Sequence, residues 1–230
     1  MDYQIFQHSK FLNNIPIKKL EIKNQEIKNS TDIEEKIKVI KITALNRFYE
    51  SNIPVEYWDV SIKNFPGNKL IVSTFDDYTK DLKQSYIDGK SICLCGSHGV
   101  GKTTLLSSIL KFASIKDYSC LYTTLSDVVN AIVSNSDEKS IIKKELNTVD
   151  FLVIDEFDGR FIGSDNAGDL FARTLENIFR TRSQNKLPTL LATNSPNVLN
   201  IFSGQLNASL NSLFSGYIES IAILGKDLRI

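Results

Sequence analysis

Residues 93–106, CLCGSHGVGKTTLL, pass from a short apolar strand through a glycine-studded loop into an apolar helix. The spacing is Gly96, four residues, then Gly101, Lys102 and Thr103. This stretch fixes one strand–loop–helix unit, and the chain on either side repeats the same alternation. Apolar strands are expected at 91–95, 118–124, 149–154, 187–193 and 217–223. Helical segments are expected at 102–114, at 126–146 with a break, at 167–185 and at 205–214. Five short apolar strands interleaved with helices predict an α/β fold, with a mostly parallel five-stranded sheet between helices.

The region ahead of this alternation reads differently. Residues 1–30 carry scattered lysines and little periodicity. The segment TDIEEKIKVIKITALNRFYES then predicts a helix, with Thr31 and Glu34 as a capping box. Its core face is read as Ile33, Ile37, Ile40, Ala44 and Phe48, recurring at helical spacing. Lys36, Lys38 and Lys41 form either a partner face or a solvated one. Pro54 closes the helix, and Thr74 to Asp88 reads as another, stopped by Gly89. The boundary implied is a helical extension over 1–54, a candidate partner-docking segment, followed by a core domain over 55–230.

Composition narrows the class. Lys plus Arg and Asp plus Glu number 27 each, so the net charge of zero excludes a generally basic nucleic-acid coat but allows a local basic groove. No apolar run approaches the ~20 residues of a membrane span, and MDYQIFQHSK is too polar for a secretory signal. Cys93, Cys95 and Cys120 lie in apolar strands and read as small core residues in a reducing compartment, which gives a cytoplasmic address.

The loop has a definite chemistry. Gly96, Gly99 and Gly101 let the backbone wrap so that amides point inward, and the next helix offers its positive N-terminal end to an anion. Gly96, Ser97, His98, Gly99, Val100 and Gly101 are therefore expected to cradle a triphosphate. Lys102 would reach the β- and γ-phosphates, Thr103 would give its hydroxyl to Mg²⁺, and Thr104 would touch the α-phosphate. About fifty residues on, VDFLVIDEFD forms a buried strand ending in Asp155 and Glu156. Asp155 is expected to order the metal and Glu156 to polarise water, so the cofactors implied are ATP and Mg²⁺. A third strand, in LPTLLATNSP, ends at Asn194, which could contact the γ-phosphate.

Phosphate loop, Asp-Glu and strand-terminal Asn in this order resemble the AAA+ P-loop ATPases. RFYESNIPVEYWDVSIKNF, LENIFRTRSQNKLPTLLATN and the terminal GKDLRI are similar to segments of the DnaC/DnaI-type helicase loaders and the related IstB-like transposition helpers. The resemblance covers residues 45–230. It implies an ATPase that forms an ATP-dependent homo-oligomer, binds a replicative helicase through the N-terminal extension, and helps place it on single-stranded DNA. It makes Arg229 a candidate second sensor of the nucleotide, and the end of the chain after it implies no C-terminal lid.

One departure matters. The family usually places an arginine between the sensor strand and the last strand, reaching a neighbour's γ-phosphate, but no Lys or Arg occurs from Leu187 to Gly225. Slow hydrolysis in isolation is expected, with Arg180 and Arg182 as substitute candidates. Arg160, in the polar loop EFDGRFIGSDNAGD, is a candidate DNA contact, and Tyr57-Trp58 could stack on adenine or on a base. Two alternatives stay open: an IstB-like transposition helper, and a non-catalytic adaptor switched by ATP.

Overall fold

The computed structural model describes residues 33–133, 137–158, 166–196 and 204–229. Arg160 and residues 1–32 lie outside them. The chain begins with α1 (Ile33–Glu50), passes through 3-10 turns at Val55–Tyr57 and Ile62–Asn64, and continues into α2 (Lys69–Lys80) and α3 (Leu82–Ile87). The alternating part follows as β1 (Ser91–Cys95), α4 (Lys102–Ile115), β2 (Cys120–Thr124), α5 (Leu125–Val133) and α6 (Asp137–Thr148). It ends with β3 (Phe151–Asp155), α7 (Asn166–Gln184), β4 (Thr189–Thr193), α8 (Gly204–Tyr217) and β5 (Ile218–Ala222).

The five strands form one parallel sheet in the order β2-β3-β4-β1-β5. Because strand side chains alternate between faces, each strand feeds two cores. Ile92, Leu94, Tyr122, Phe151, Val153, Leu190 and Ala192 face α4 and, through it, α1 and α2. Cys93, Cys95, Leu121, Leu152, Ile154 and Leu191 face the layer of α5, α7 and α8. Burial on both faces explains why the strands read as continuous apolar runs. All three cysteines are buried in these layers.

β1 starts where the sequence predicts, and the other four strands start one or two residues later. Arg182 contacts the chain just ahead of two of these starts: its guanidinium donates to the carbonyls of Val149 (3.0 Å) and Pro188 (2.8 Å), and the Pro188 carbonyl also accepts from the Leu152 amide (3.2 Å). The helix read as 74–88 is two helices: α2 starts at Lys69, where Asn68 caps it by accepting from the Leu70 amide (2.8 Å), and the chain leaves helical geometry at Asp81.

The core face of α1 also differs. Val39, Ile42, Leu45 and Phe48 are buried, while Ile40 is 61% exposed. With isoleucine or valine at four of the six positions of IKVIKI, more than one stripe has helical spacing, and packing on α4 selects among them. Arg47 adds a polar tie between these helices, donating to the carbonyls of Ser114 (3.0 Å) and Ile115 (2.8 Å) and pairing with Asp117. The turn after α1 then covers the β2 edge. The Tyr122 amide donates to the Ser51 carbonyl (2.8 Å), and the Asn52 side chain donates to the Tyr122 carbonyl (2.9 Å).

Candidate nucleotide-binding site

Parallel strands bring their C-terminal ends to one edge, and the strand order sets β3, β4 and β1 side by side there. Cys95 pairs with Thr193 and Ile154 with Leu191. The residues that follow, Gly96, Asn194 and Asp155, therefore leave the sheet together. This edge carries a cavity of about 570 Å³. His98, Gly99, Gly101, Lys102, Thr103, Thr104, Asp155, Glu156, Asn194 and Arg229 all line it.

Three predicted loop residues stand behind that lining. Val100 is buried in the core, Gly96 lies against the Ile223 carbonyl, and Ser97 turns its carbonyl to Lys102. Gly99 (φ +74°) and Gly101 (φ +91°) adopt left-handed backbone, where a Cβ would also run into Asp227 and the Phe65 ring respectively. Gly101 precedes α4 with no side-chain cap, so the first amides of α4 are left for an external acceptor.

Lys102 is 8% exposed, and its ammonium donates to the carbonyls of Gly96 (2.9 Å) and Ser97 (2.7 Å) and to Asn194 Oδ1 (3.0 Å). Burial lowers its pKa, and the Asp155 charge opposes that shift. Lys102 and Asn194, 92 positions apart in sequence, thus meet directly. Asp155 is 5% exposed; its Oδ2 accepts from the Tyr122 hydroxyl (2.8 Å) and its Oδ1 from the Glu156 amide (2.7 Å). Both donors are neutral, so a buried carboxylate faces the cavity with its charge balanced only at longer range. Together with the Thr103 hydroxyl this is a hard-oxygen donor set, which fits Mg²⁺.

Glu156 has φ +50°, the left-handed region that a non-glycine residue enters at a cost of about 1–3 kcal/mol. Its neighbour explains it. Phe157 is fully buried against Phe179 and Phe214, and its amide donates to the Ala192 carbonyl (2.8 Å). Pulling Phe157 into the core turns Glu156 outward onto the cavity wall.

Two further chain segments, around Tyr57-Trp58 and in the terminal GKDLRI, complete the walls. One runs through the 3-10 turns and contributes Tyr57, Asp59, Val60, Ser61 and Phe65. Tyr57 has its hydroxyl pKa pushed up to about 12, by burial first and then by Glu56. Trp58 points elsewhere: it is 5% exposed, donates to the Ile53 carbonyl (2.8 Å) and meets the Phe48 ring edge-on at 6.1 Å, so it does not stack on a base in the cavity. The other segment is the tail 224–229, whose Leu228 amide donates to the Gly99 carbonyl (2.9 Å). Arg229 lines the cavity while its guanidinium grips Asp227 in two bonds (3.0 and 2.7 Å), which hold that carboxyl down at about 2.

The substitute finger arginines do not share this edge. Arg182 is fully buried and donates to Thr189 Oγ1 and to the carbonyls of Leu146, Val149 and Pro188. It cannot reach a neighbouring molecule, which removes it as a candidate. Arg180 is exposed and pairs with Glu176 (2.7 Å).

Comparison with known proteins agrees with this geometry. Residues 92–202 match AAA, the ATPase family associated with various cellular activities. No curated protein sequence matches the chain. The solved structure of DnaI is similar at 20% identity and TM-score 0.59, over 76% of this chain and 93% of that one. The DnaC helicase loader is similar at 21% identity and TM-score 0.55, over 74% and 99%. The replication initiator DnaA, solved with AMPPCP and single-stranded DNA, is similar at 24% identity and TM-score 0.57, over 74% and 51%. The chain thus spans about half the length of the initiator structures it matches. The strand order, the loop geometry and these likenesses together identify an AAA+ P-loop fold, similar to that of DnaC and DnaI.

Proposed function

We propose that the chain binds ATP with Mg²⁺ in this cavity, hydrolyses it, and acts in the cytoplasm as a loader of a replicative helicase onto single-stranded DNA. The observation that carries the ATPase half is the meeting at one cavity of Lys102, Asn194, Asp155 and Glu156. Lys102 would exchange the Gly96 and Ser97 carbonyls for β- and γ-phosphate oxygens, and the amides at the start of α4 would take the remaining phosphate charge. Thr103 and Asp155 would hold the metal, which supplies positive charge at the phosphates. Asn194 would contact the γ-phosphate, and Glu156 would orient and polarise the attacking water. Arg229 would sense the nucleotide from the tail.

The loader half rests on likeness to DnaI and DnaC, with residues 1–54 as the helicase-docking segment and a homo-oligomer forming on ATP. A specific observation supports the ATP-switched adaptor as second reading: Arg182 is spent inside the fold, and 187–225 holds no cation. The test is ATP turnover by the protein alone, with single-stranded DNA, and with DNA plus the replicative helicase of its host, with Lys102→Ala as blank. Turnover that is small alone and rises sharply with helicase and DNA is expected of a loader completed by its assembly. Bound ATP with no turnover under any condition would replace the loader by the adaptor.

A further inference from the structure

Lys111 is a second buried cation on α4, outside the phosphate loop. It is 7% exposed, and its ammonium donates to the carbonyls of Trp58 (3.0 Å) and Val60 while standing 5.8 Å from the centroid of the Phe48 ring of α1. Those carbonyls lie between the two 3-10 turns, and Asp59, Val60 and Ser61 line the cavity. Lys111 thus ties this cavity wall to α4, the helix that begins at the phosphate loop.

We propose that Lys111 is a positioning residue for nucleotide binding: it clamps residues 58–60 onto α4 and so holds the wall against which the nucleoside end of the nucleotide rests. The proposal rests on the nucleotide reading above. A charged donor to two carbonyls makes roughly twice as strong a pair of bonds as a neutral one, so the clamp is tightest while Lys111 is protonated. Burial pushes its pKa down to about 8, and the Asp59 carboxylate on the clamped segment opposes that shift. On the other packed elements, Arg47 of α1 is turned to Ser114, Ile115 and Asp117, and Asp76, Asp77 and Lys80 of α2 pair among themselves. Glu56, Tyr57 and Lys63 complete the titratable groups of the two turns.

A lysine with a depressed pKa binds its proton less tightly folded than unfolded, so its contribution to global stability rises with pH from about 8 to the ordinary 10.5. Deprotonation of Lys111 over that range therefore does not itself favour unfolding, and loosening of the clamp is a local change.

Trp58 is the chain's single tryptophan, and its emission reports the clamped segment directly. Emission is followed from pH 6.5 to 9.5 without nucleotide, in a Lys102→Ala background to remove the other buried lysine. Affinity for a fluorescent ADP analogue is followed over the same range in the wild type. The expected result is an emission transition near pH 8, weaker ADP binding above it, and a lower midpoint in Asp59→Asn. Lys111→Met should show no transition and bind ADP on the order of tenfold more weakly at pH 7. A flat Trp58 profile, or Lys111→Met binding ADP as the wild type does, would overturn the clamp while leaving the nucleotide reading intact. A transition at Trp58 in the Lys102→Ala background, together with a wild-type protein that binds no ADP, would overturn the nucleotide reading and, with it, the clamp's role in binding.

Discussion

The two ends of the sheet each bury a cation, and they handle it in opposite ways. At the end where the strands begin, Arg182 is fully enclosed and directs its guanidinium to Thr189 Oγ1 and to the carbonyls of Leu146, Val149 and Pro188. Burial still pushes its pKa down to about 10. At the end where the strands finish, Lys102 is nearly as buried, yet its partners are two carbonyls of its own loop and the Asn194 side chain on a cavity wall. The first cation has its partners built in and can only hold the fold. The second holds provisional partners that a phosphate can replace. Burial of a charge therefore does not mark a functional site; what marks it is whether the partners can be exchanged.

The contrast can be broken from either end. The largest effect is expected at the open end, where Glu156→Gln should lower ATP turnover by about 10²–10⁴-fold and leave nucleotide binding and the denaturant midpoint unchanged. Loss of stability in that variant would mean that the cavity edge is structural after all. At the closed end, Arg182→Met should cost about 3 kcal/mol in urea unfolding, since it strands buried carbonyls, while ADP affinity of the folded fraction stays at the wild-type value. A large loss of affinity without loss of stability would show that the two ends are not separable. The smallest effect sharpens the boundary between them. Tyr122→Phe removes one donor from Asp155, worth about 1 kcal/mol, and should raise the Mg²⁺ concentration for half-maximal turnover roughly fivefold; an unchanged Mg²⁺ dependence would remove Tyr122 from the site.

The open end was legible in the sequence because most of it is contiguous. Gly96 to Thr104 is one contiguous stretch, Asp155-Glu156 is one strand end, and the parallel alternation brings them together without further information. What sequence could not carry were contacts made through space. Tyr122 sits in an ordinary apolar strand, and only pairing of β2 with β3 turns its hydroxyl to Asp155. Asp227 and Leu228 gain meaning only when the tail folds back on Gly99. Arg182 reads as a substitute finger near a helix end until β4 and the end of α6 close over it. On α1 the difficulty is different, since isoleucines and valine stand at so many helical angles that Ile40 and Val39 can exchange places in the pattern.

The turn that follows α1 has a consequence for how the molecule meets other chains. An edge strand ordinarily offers a row of unsatisfied amides and carbonyls that any extended peptide can adopt as a template. Here Tyr122, at the middle of β2, has its amide bonded to Ser51 and its carbonyl to Asn52. A foreign strand could not zip along this margin without first lifting that turn, and with it the helix that Arg47 fastens to α4. Amyloid-like stacking and strand exchange are thereby resisted at β2 by the protein's own leading segment, and a partner that grips this side must do so through side chains.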